Sequence, residues 1–152
     1  MINQLEKQYF VDLFIREGYV LNFSTRSFNN FTTNSVGVPL CEAYGLSKGK
    51  SLIAFINEKD NDVVVKLLGD LLEDYSVRFR SEIIANVKNL KGISYSVLFQ
   101  KCQEIIRREK QLLSSYSQES ESLKIRFSSE YMCLAIKKST TLAIKIQPAW
   151  QL

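Results

Sequence analysis

The nine residues YGLSKGKSL, at positions 44–52, have the residue types and the approximate order of a nucleotide-binding loop. A Walker A loop has the pattern G-x-x-x-x-G-K-[ST], in which backbone N–H groups surround the phosphates and the lysine reaches the terminal ones. In this chain Gly45 and Gly49 enclose only three residues, one fewer than that pattern requires. The preceding PLCEAYG lacks the β-branched run of a buried strand, so we expect no nucleotide hydrolysis.

Two lysines of this segment are candidates for a weaker anion site. Ser47 is a predicted N-cap, which places Lys48 and Lys50 beside a helix N-terminus, where the helix dipole favours anions. The alternative is that both lysines pair with the carboxylates of Glu42 or Glu58. The sequence leaves both interpretations open.

The absence of histidine restricts the chemistry of the whole chain. It excludes Ser-His-Asp and Cys-His nucleophile systems, histidine general bases and histidine metal ligands. Cysteine without a basic partner is a poor nucleophile at neutral pH. We therefore expect a protein that is not an enzyme, with no catalytic residue, no metal site and no cofactor.

The spacing of the cysteines and the hydropathy of the chain predict the compartment in which the protein is located. Cys41, Cys102 and Cys133 are odd in number and widely spaced, which argues against a disulfide framework and for a reducing compartment. No stretch of 18 apolar residues is present, and the N-terminal MINQLEKQYFVDLF is interrupted by charges. We expect a cytoplasmic protein that does not bind membranes.

Apolar spacing predicts a mainly α fold, a compact multi-helix single domain. Ser24 or Thr25 is predicted to begin a helix that ends at Gly37, and Gly45 to end a single turn after it. Residues 63–75 show the broad apolar face of a core helix, namely Val64, Leu67, Leu68, Leu71, Leu72 and Tyr75.

The second half of the chain is predicted to contain two more helices. Ile83, Ile84, Val87 and Leu90 indicate one that Gly92 ends, and residues 93–113 indicate a long one.

We divide the chain into three parts by composition. Residues 1–113 form a helical domain, the polar SSYSQESES at 114–122 is a linker, and 123–152 are a C-terminal tail. The tail begins with LKIRFSSEYMCLAIKK, which could be helical. It continues with TLAIKIQPAW, whose alternation favours a short β piece.

Charge is segregated along the chain. Residues 76–110, called the basic block below, carry 8 Lys/Arg and 3 Asp/Glu, whereas residues 1–75 carry 7 and 10. One interpretation is a surface that binds RNA or DNA through the phosphates; the other is a solvated face of two helices. The candidate binding residues in the block are Arg78, Arg80, Lys101, Arg107 and Arg108.

Several aromatic and glycine positions resemble the N-terminal domain of AbiJ-like abortive infection proteins. Phe23, Phe28 and Phe31, followed by SVGVPL and then YGLSKGKSLIAFI, match its order, most clearly over residues 8–75. The resemblance extends to FSSEYM at 127–132. It implies a phage-defence context in which the domain is a sensor or regulator.

The resemblance also implies a partner. Such domains are usually followed by a HEPN ribonuclease domain whose active site is R-x4-6-H, and this chain contains no histidine. One hypothesis is a truncated or frame-shifted relative. We expect a regulatory or sensor module of an abortive infection system that acts by protein contacts, with a HEPN-type effector as partner. The alternative is a nucleic-acid-binding module that uses the basic block.

Overall fold

The computed structural model describes the backbone of residues 1–145 and the side chains of residues 1–138. Within that range it contains seven α-helices and one two-stranded antiparallel sheet, which confirms the mainly α prediction. In chain order the elements are α1 (Gln4–Phe14), β1 (Ile15–Arg16), β2 (Tyr19–Val20), α2 (Thr25–Val36), α3 (Leu40–Tyr44), α4 (Lys48–Glu58), α5 (Asn61–Arg78), α6 (Arg80–Ile84) and α7 (Tyr95–Lys145).

The chain divides into two compact units. Unit 1 is Met1–Gln111 and unit 2 begins at Leu112. The predicted linker at 114–122 is helical and belongs to α7. Its serines form hydrogen bonds to carbonyls three or four residues earlier, for example Ser117 Oγ to Leu113 O at 2.9 Å, so the polar side chains are accommodated on a helix.

The tail prediction is corrected in part. The segment 123–138 is helical, and the backbone remains helical through Lys145, so the first half of TLAIKIQPAW does not form the expected strand. The remainder of that segment lies outside the described residues.

The predicted helix ends in the first half of the chain are confirmed. Ser24 is the N-cap of α2, and its hydroxyl accepts a hydrogen bond from Ser27 N at 3.1 Å. Gly37 and Gly45 end α2 and α3 in the left-handed conformation, with φ of 75° and 63°. Ser47 is the N-cap of α4, as predicted, although its side chain makes no capping hydrogen bond.

The core of unit 1 includes the apolar face of α5. All six residues predicted for that face are buried. At its C-terminal end the ring of Tyr75 lies 6.3 Å from Phe14, 5.2 Å from Phe79 and 5.7 Å from Phe99, centroid to centroid. Aromatic pairs of this kind each contribute about 0.5–1.5 kcal/mol beyond the area they bury. This cluster joins α1, α5 and α7.

One local feature was not predicted from the sequence, and one prediction was wrong. After α1 the chain turns into a hairpin, because Glu17 and Gly18 both adopt positive φ, 52° and 85°, as a two-residue type I′ turn requires. The helix predicted through residues 83–90 ends at Ile84. Beyond it the side chain of Asn89 accepts hydrogen bonds from the next backbone amides, Lys91 N at 3.0 Å and Ile93 N at 2.9 Å, which favours a turn.

Gly49 permits the close approach of α4 to the hairpin. A Cβ at this position would lie 2.9 Å from Gly18 O and 3.2 Å from Ile15 Cγ2. The first of these atoms belongs to the backbone of a tight turn and cannot rotate away. The glycine is therefore required by packing between two elements that are distant in sequence.

The substitution Gly49→Ala is expected to lower the free energy of unfolding by about 1–3 kcal/mol, because the added methyl overpacks the contact with the hairpin. Gly69→Ala is the matched control, since its Cβ would meet only Lys110 and Ile106 side-chain atoms at 3.5–3.6 Å. Both glycines are helical. Gly69→Ala should therefore raise the free energy of unfolding by about 0.5–1 kcal/mol, because alanine has less backbone entropy than glycine in the unfolded chain. Chemical denaturation measures both; equal effects would contradict the packing role of Gly49.

Candidate functional site

In residues 44–52, which resemble a phosphate-binding loop, the residues that match the Walker pattern make structural contacts within the protein. Gly45 ends α3, and Gly49 is buried against the hairpin. Ser51, the counterpart of the Walker serine, is buried and donates its hydroxyl to Leu46 O at 3.1 Å. Gly45 and Ser51 thus have structural roles where α3 meets α4, and Gly49 has one in the packing of α4 against the hairpin.

The two lysines of this segment have different surroundings. Lys48 Nζ lies 5.0 Å from the centre of the Tyr19 ring, a cation–π contact with the hairpin. Lys50 is exposed. In the part of the chain that the structure describes, neither lysine forms an ion pair with Glu42 or Glu58. The acid Glu42 instead accepts a hydrogen bond from Asn29 Nδ2 at 3.2 Å.

Acidic residues of the first half of the chain neutralise part of the basic block. Arg78 Nε lies 2.8 Å from Asp74, and Lys91 Nζ lies 2.8 Å from Asp12. Both carboxylates belong to residues 1–75. Acidic residues of the first half of the chain therefore pair with basic residues of the block within unit 1.

The remaining block residues are divided between elements. Lys101 Nζ lies 5.1 Å from the Tyr9 ring centre on α1. Arg80 on α6 and Arg107 on α7 are exposed and have no ion pair among the described residues. The structure therefore does not gather the candidate cations into one uncompensated surface.

An open groove of about 760 Å³ between α5 and α7 contains one of those cations. Arg107 and Lys110 line it together with Glu73 and Glu104. Since the lining contains both signs of charge, the groove is not selective for anions.

Arg108 belongs to a hydrogen-bonded cluster that ties α7 to α1. Its guanidinium donates to Glu6 at 2.6 and 3.0 Å and to Glu109 at 2.7 Å. Glu109 is only 1% exposed, and its other oxygen accepts from Asn61 Nδ2 at 2.9 Å and from the Met1 amino group at 3.0 Å. The cluster connects α7, α1 and the start of α5.

The pKa of Glu109 reflects this cluster. Burial alone raises it, but the hydrogen bonds from Arg108, Asn61 and the Met1 amino group outweigh burial and hold the pKa at about 2. The pKa of Glu6 is also lowered, first by its hydrogen bond to Arg108. Arg108 is thus a structural residue of unit 1.

Sequence reasoning missed a second arginine contact, at Arg16 on β1. Its guanidinium pairs with both oxygens of Glu82 at 2.9 and 2.8 Å, and it lies 4.2 Å from the Tyr95 ring centre and 5.2 Å from that of Phe79. The contact fixes the hairpin against α6 and α7. No local sequence pattern predicts this ion pair, because Arg16 and Glu82 are 66 residues apart.

Unit 2 carries a surface that the sequence reasoning also missed. Six apolar residues of its helix fall within about 100° of the circumference at 100° per residue, and all six are exposed. We call them the apolar stripe; they are Leu112, Tyr116, Leu123, Phe127, Tyr131 and Leu134. Ile125 and Met132, on the other side, are exposed as well.

No family model, curated protein or solved structure matches the chain. Over the described residues no helix is both long enough and apolar enough to cross a membrane. The same part of the chain contains no group of three or more Cys, Asp or Glu side chains that could hold a metal ion.

Glu109→Gln is expected to lower the free energy of unfolding at pH 7 by about 1–3 kcal/mol, because it removes the carboxylate that accepts hydrogen bonds from Arg108, Asn61 and the Met1 amino group. Glu104→Gln, an exposed change five residues earlier on α7, should shift it by less than about 0.5 kcal/mol. Urea denaturation measures both.

The pH dependence provides a second readout. The pKa of Glu109 is depressed in the folded state, so its stabilisation is complete above the unfolded value of about 4.3 and is lost as pH falls towards 2. Wild type should lose stability over that range. Glu109→Gln should retain only the smaller slope due to Glu6; identical slopes would contradict this assignment.

Proposed function

We propose that the chain is a non-catalytic module that acts through protein contacts made by the apolar stripe of unit 2. The observation that carries the proposal is the exposure of six large apolar side chains on one face of a helix. Contiguous apolar surface of this kind on a soluble protein marks interaction sites. Covering it gains about 25 cal/mol for each Å² of apolar area removed from water.

Two further features favour protein contact over catalysis or nucleic-acid binding. The chain has no histidine, so the commonest general base is absent from its inventory. Within unit 1, Arg78, Lys91 and Arg108 already pair with carboxylates. Binding a phosphate backbone through these residues would require breaking those contacts.

The biological context that we propose is a regulatory or sensor role in a cytoplasmic abortive infection system, beside a HEPN-type effector. Its support is the resemblance of residues 8–75 to AbiJ-like domains together with the cysteine pattern. The proposal of protein contact does not depend on this context, because it rests on the exposed stripe.

A photo-crosslinking amino acid placed at Phe127 should form covalent adducts with protein in living cells, since this position lies within the stripe. Ser129 is the matched control, because it is exposed and lies on the same helix about 160° away. Adducts are separated by electrophoresis and identified by mass spectrometry. Nucleic-acid adducts at Phe127, or equal protein adducts at both positions, would contradict the proposal.

Single-stranded RNA should bind only non-specifically, with a Kd no tighter than about 10⁻⁶ M at physiological salt, as measured by fluorescence anisotropy at two salt concentrations. Arg107→Glu should leave this Kd unchanged. Arg108→Glu is unsuitable as a test, because it would disrupt the contacts with Glu6 and Glu109.

The opposite outcome would favour the nucleic-acid alternative. Tight binding that weakens steeply with salt, is lost in Arg107→Glu and persists in Arg26→Glu would place the interface on the basic block. Arg26 is the control because it is an exposed arginine outside the block, and its reversal changes the net charge by the same amount.

A further inference from the structure

The apolar stripe has an 11-residue period. Leu112, Leu123 and Leu134 are each 11 residues apart, and so are Tyr116 and Phe127. An 11-residue repeat corresponds to 3.67 residues per turn, which keeps the stripe nearly parallel to the helix axis and is the pattern of right-handed supercoils. The stripe therefore suits a second helix that lies along it.

The 11-residue spacing extends one step towards the N-terminus, where the apolar residue is buried instead of exposed. Ile105, 11 residues before Tyr116, is buried within unit 1. Tyr116 itself is 68% exposed. This position of the repeat is thus covered in unit 1, at Ile105, and uncovered in unit 2, at Tyr116.

Charges along unit 2 restrict the direction of a partner helix. Residues 112–123 contain Glu119 and Glu121 and no Lys or Arg, whereas residues 124–138 contain four Lys/Arg and one glutamate. A parallel copy would place the two basic segments side by side. An antiparallel copy with Leu123 of one helix beside Leu134 of the other places Lys137 and Lys138 near Glu119 and Glu121 of the other copy, which is the favourable arrangement.

We infer that the partner of the apolar stripe is a second copy of this chain, paired antiparallel about a two-fold axis near residue 128. The inference rests on the proposed function, because it names the protein that covers the stripe. In this register Leu123 of one copy lies beside Leu134 of the other, and the two Phe127 rings meet near the axis. A two-fold axis makes each contact occur twice.

One pair of charges fits this register. Glu130 and Arg126 lie on the same side of the stripe at 100° per residue. In an antiparallel pair, residues on the same side face each other, so Glu130 of each copy lies beside Arg126 of the other. Such pairs contribute little energy when exposed, but like charges at these positions oppose the pairing.

The mass of the purified full chain in solution tests whether the pair forms. Light scattering after gel filtration should give twice the 17.5 kDa chain mass at high concentration. Phe127→Asp should give a single chain mass, and Ser129→Asp, on the other side of the helix, should leave the pair intact. Circular dichroism establishes that both variants keep the fold. A wild-type monomer at every concentration would overturn the inference.

Cysteine pairing tests the direction. In a Cys133→Ser background, which removes the exposed thiol, we combine Leu123→Cys with Leu134→Cys protein under mild oxidation. An antiparallel pair cross-links only the mixture, because the two copies of residue 123 lie about 16 Å apart along the helix axis, beyond the reach of a disulfide. Cross-linking of either variant with itself would show a parallel pair and overturn the inference.

Charge exchange tests the register. Glu130→Arg and Arg126→Glu should each shift the chain towards the monomer, and their combination should restore the pair. Failure of the combination to restore it would contradict the axis near residue 128.

The outcomes separate this inference from the proposed function. A monomeric chain whose residue 127 still forms adducts with another protein would overturn the pair and leave the proposed function standing. A monomer that floats with vesicles of phosphatidylcholine and phosphatidylglycerol through the stripe would overturn both, since the stripe would then be a membrane-binding surface.

Discussion

An apolar face on a helix contributes to stability when another surface removes it from water, and α7 has both covered and uncovered apolar residues along its described length. Between Tyr95 and Ile106 its apolar core residues are buried within unit 1. The apolar stripe in unit 2 is exposed. The proposed function follows from that difference, because the uncovered residues are the ones that need a partner.

Electrostatic pairing within unit 1 explains why the basic block is not the preferred site. The first half of the chain is acidic and the block is basic, and folding brings Glu6 to Arg108 and Asp12 to Lys91. The buried carboxylate of Glu109 adds a third point of attachment between α7, α1 and the start of α5. Part of the charge that suggests a ligand in the sequence thus joins separate elements of unit 1 in the structure.

Local signals in the sequence were sufficient for much of the fold. Ser24, Gly37 and Gly45 act within a few residues of their own position, and the apolar face of α5 repeats every three or four residues, so both were predictable. The Glu17-Gly18 turn was missed because it is not one of the dipeptides typical of type I′ hairpins. The role of Gly49 depends on a neighbour more than 30 positions away, which no local pattern specifies.

The candidate site was less predictable for related reasons. A count of charges along the sequence does not show which residues pair in the folded protein, and Arg108 and Glu6 are 102 residues apart. The apolar stripe lay across a serine-rich segment that has the composition of a linker, which concealed it. Its 11-residue spacing was nevertheless present in the sequence and would have revealed it.

The most direct test of the central claim is hydrogen–deuterium exchange of the backbone amides of residues 112–138 at several protein concentrations. If another copy covers the stripe, protection of these amides should rise with concentration, and Phe127→Asp should abolish that rise while leaving unit 1 protected. Exchange rates that are independent of concentration and identical in the two proteins would contradict the claim.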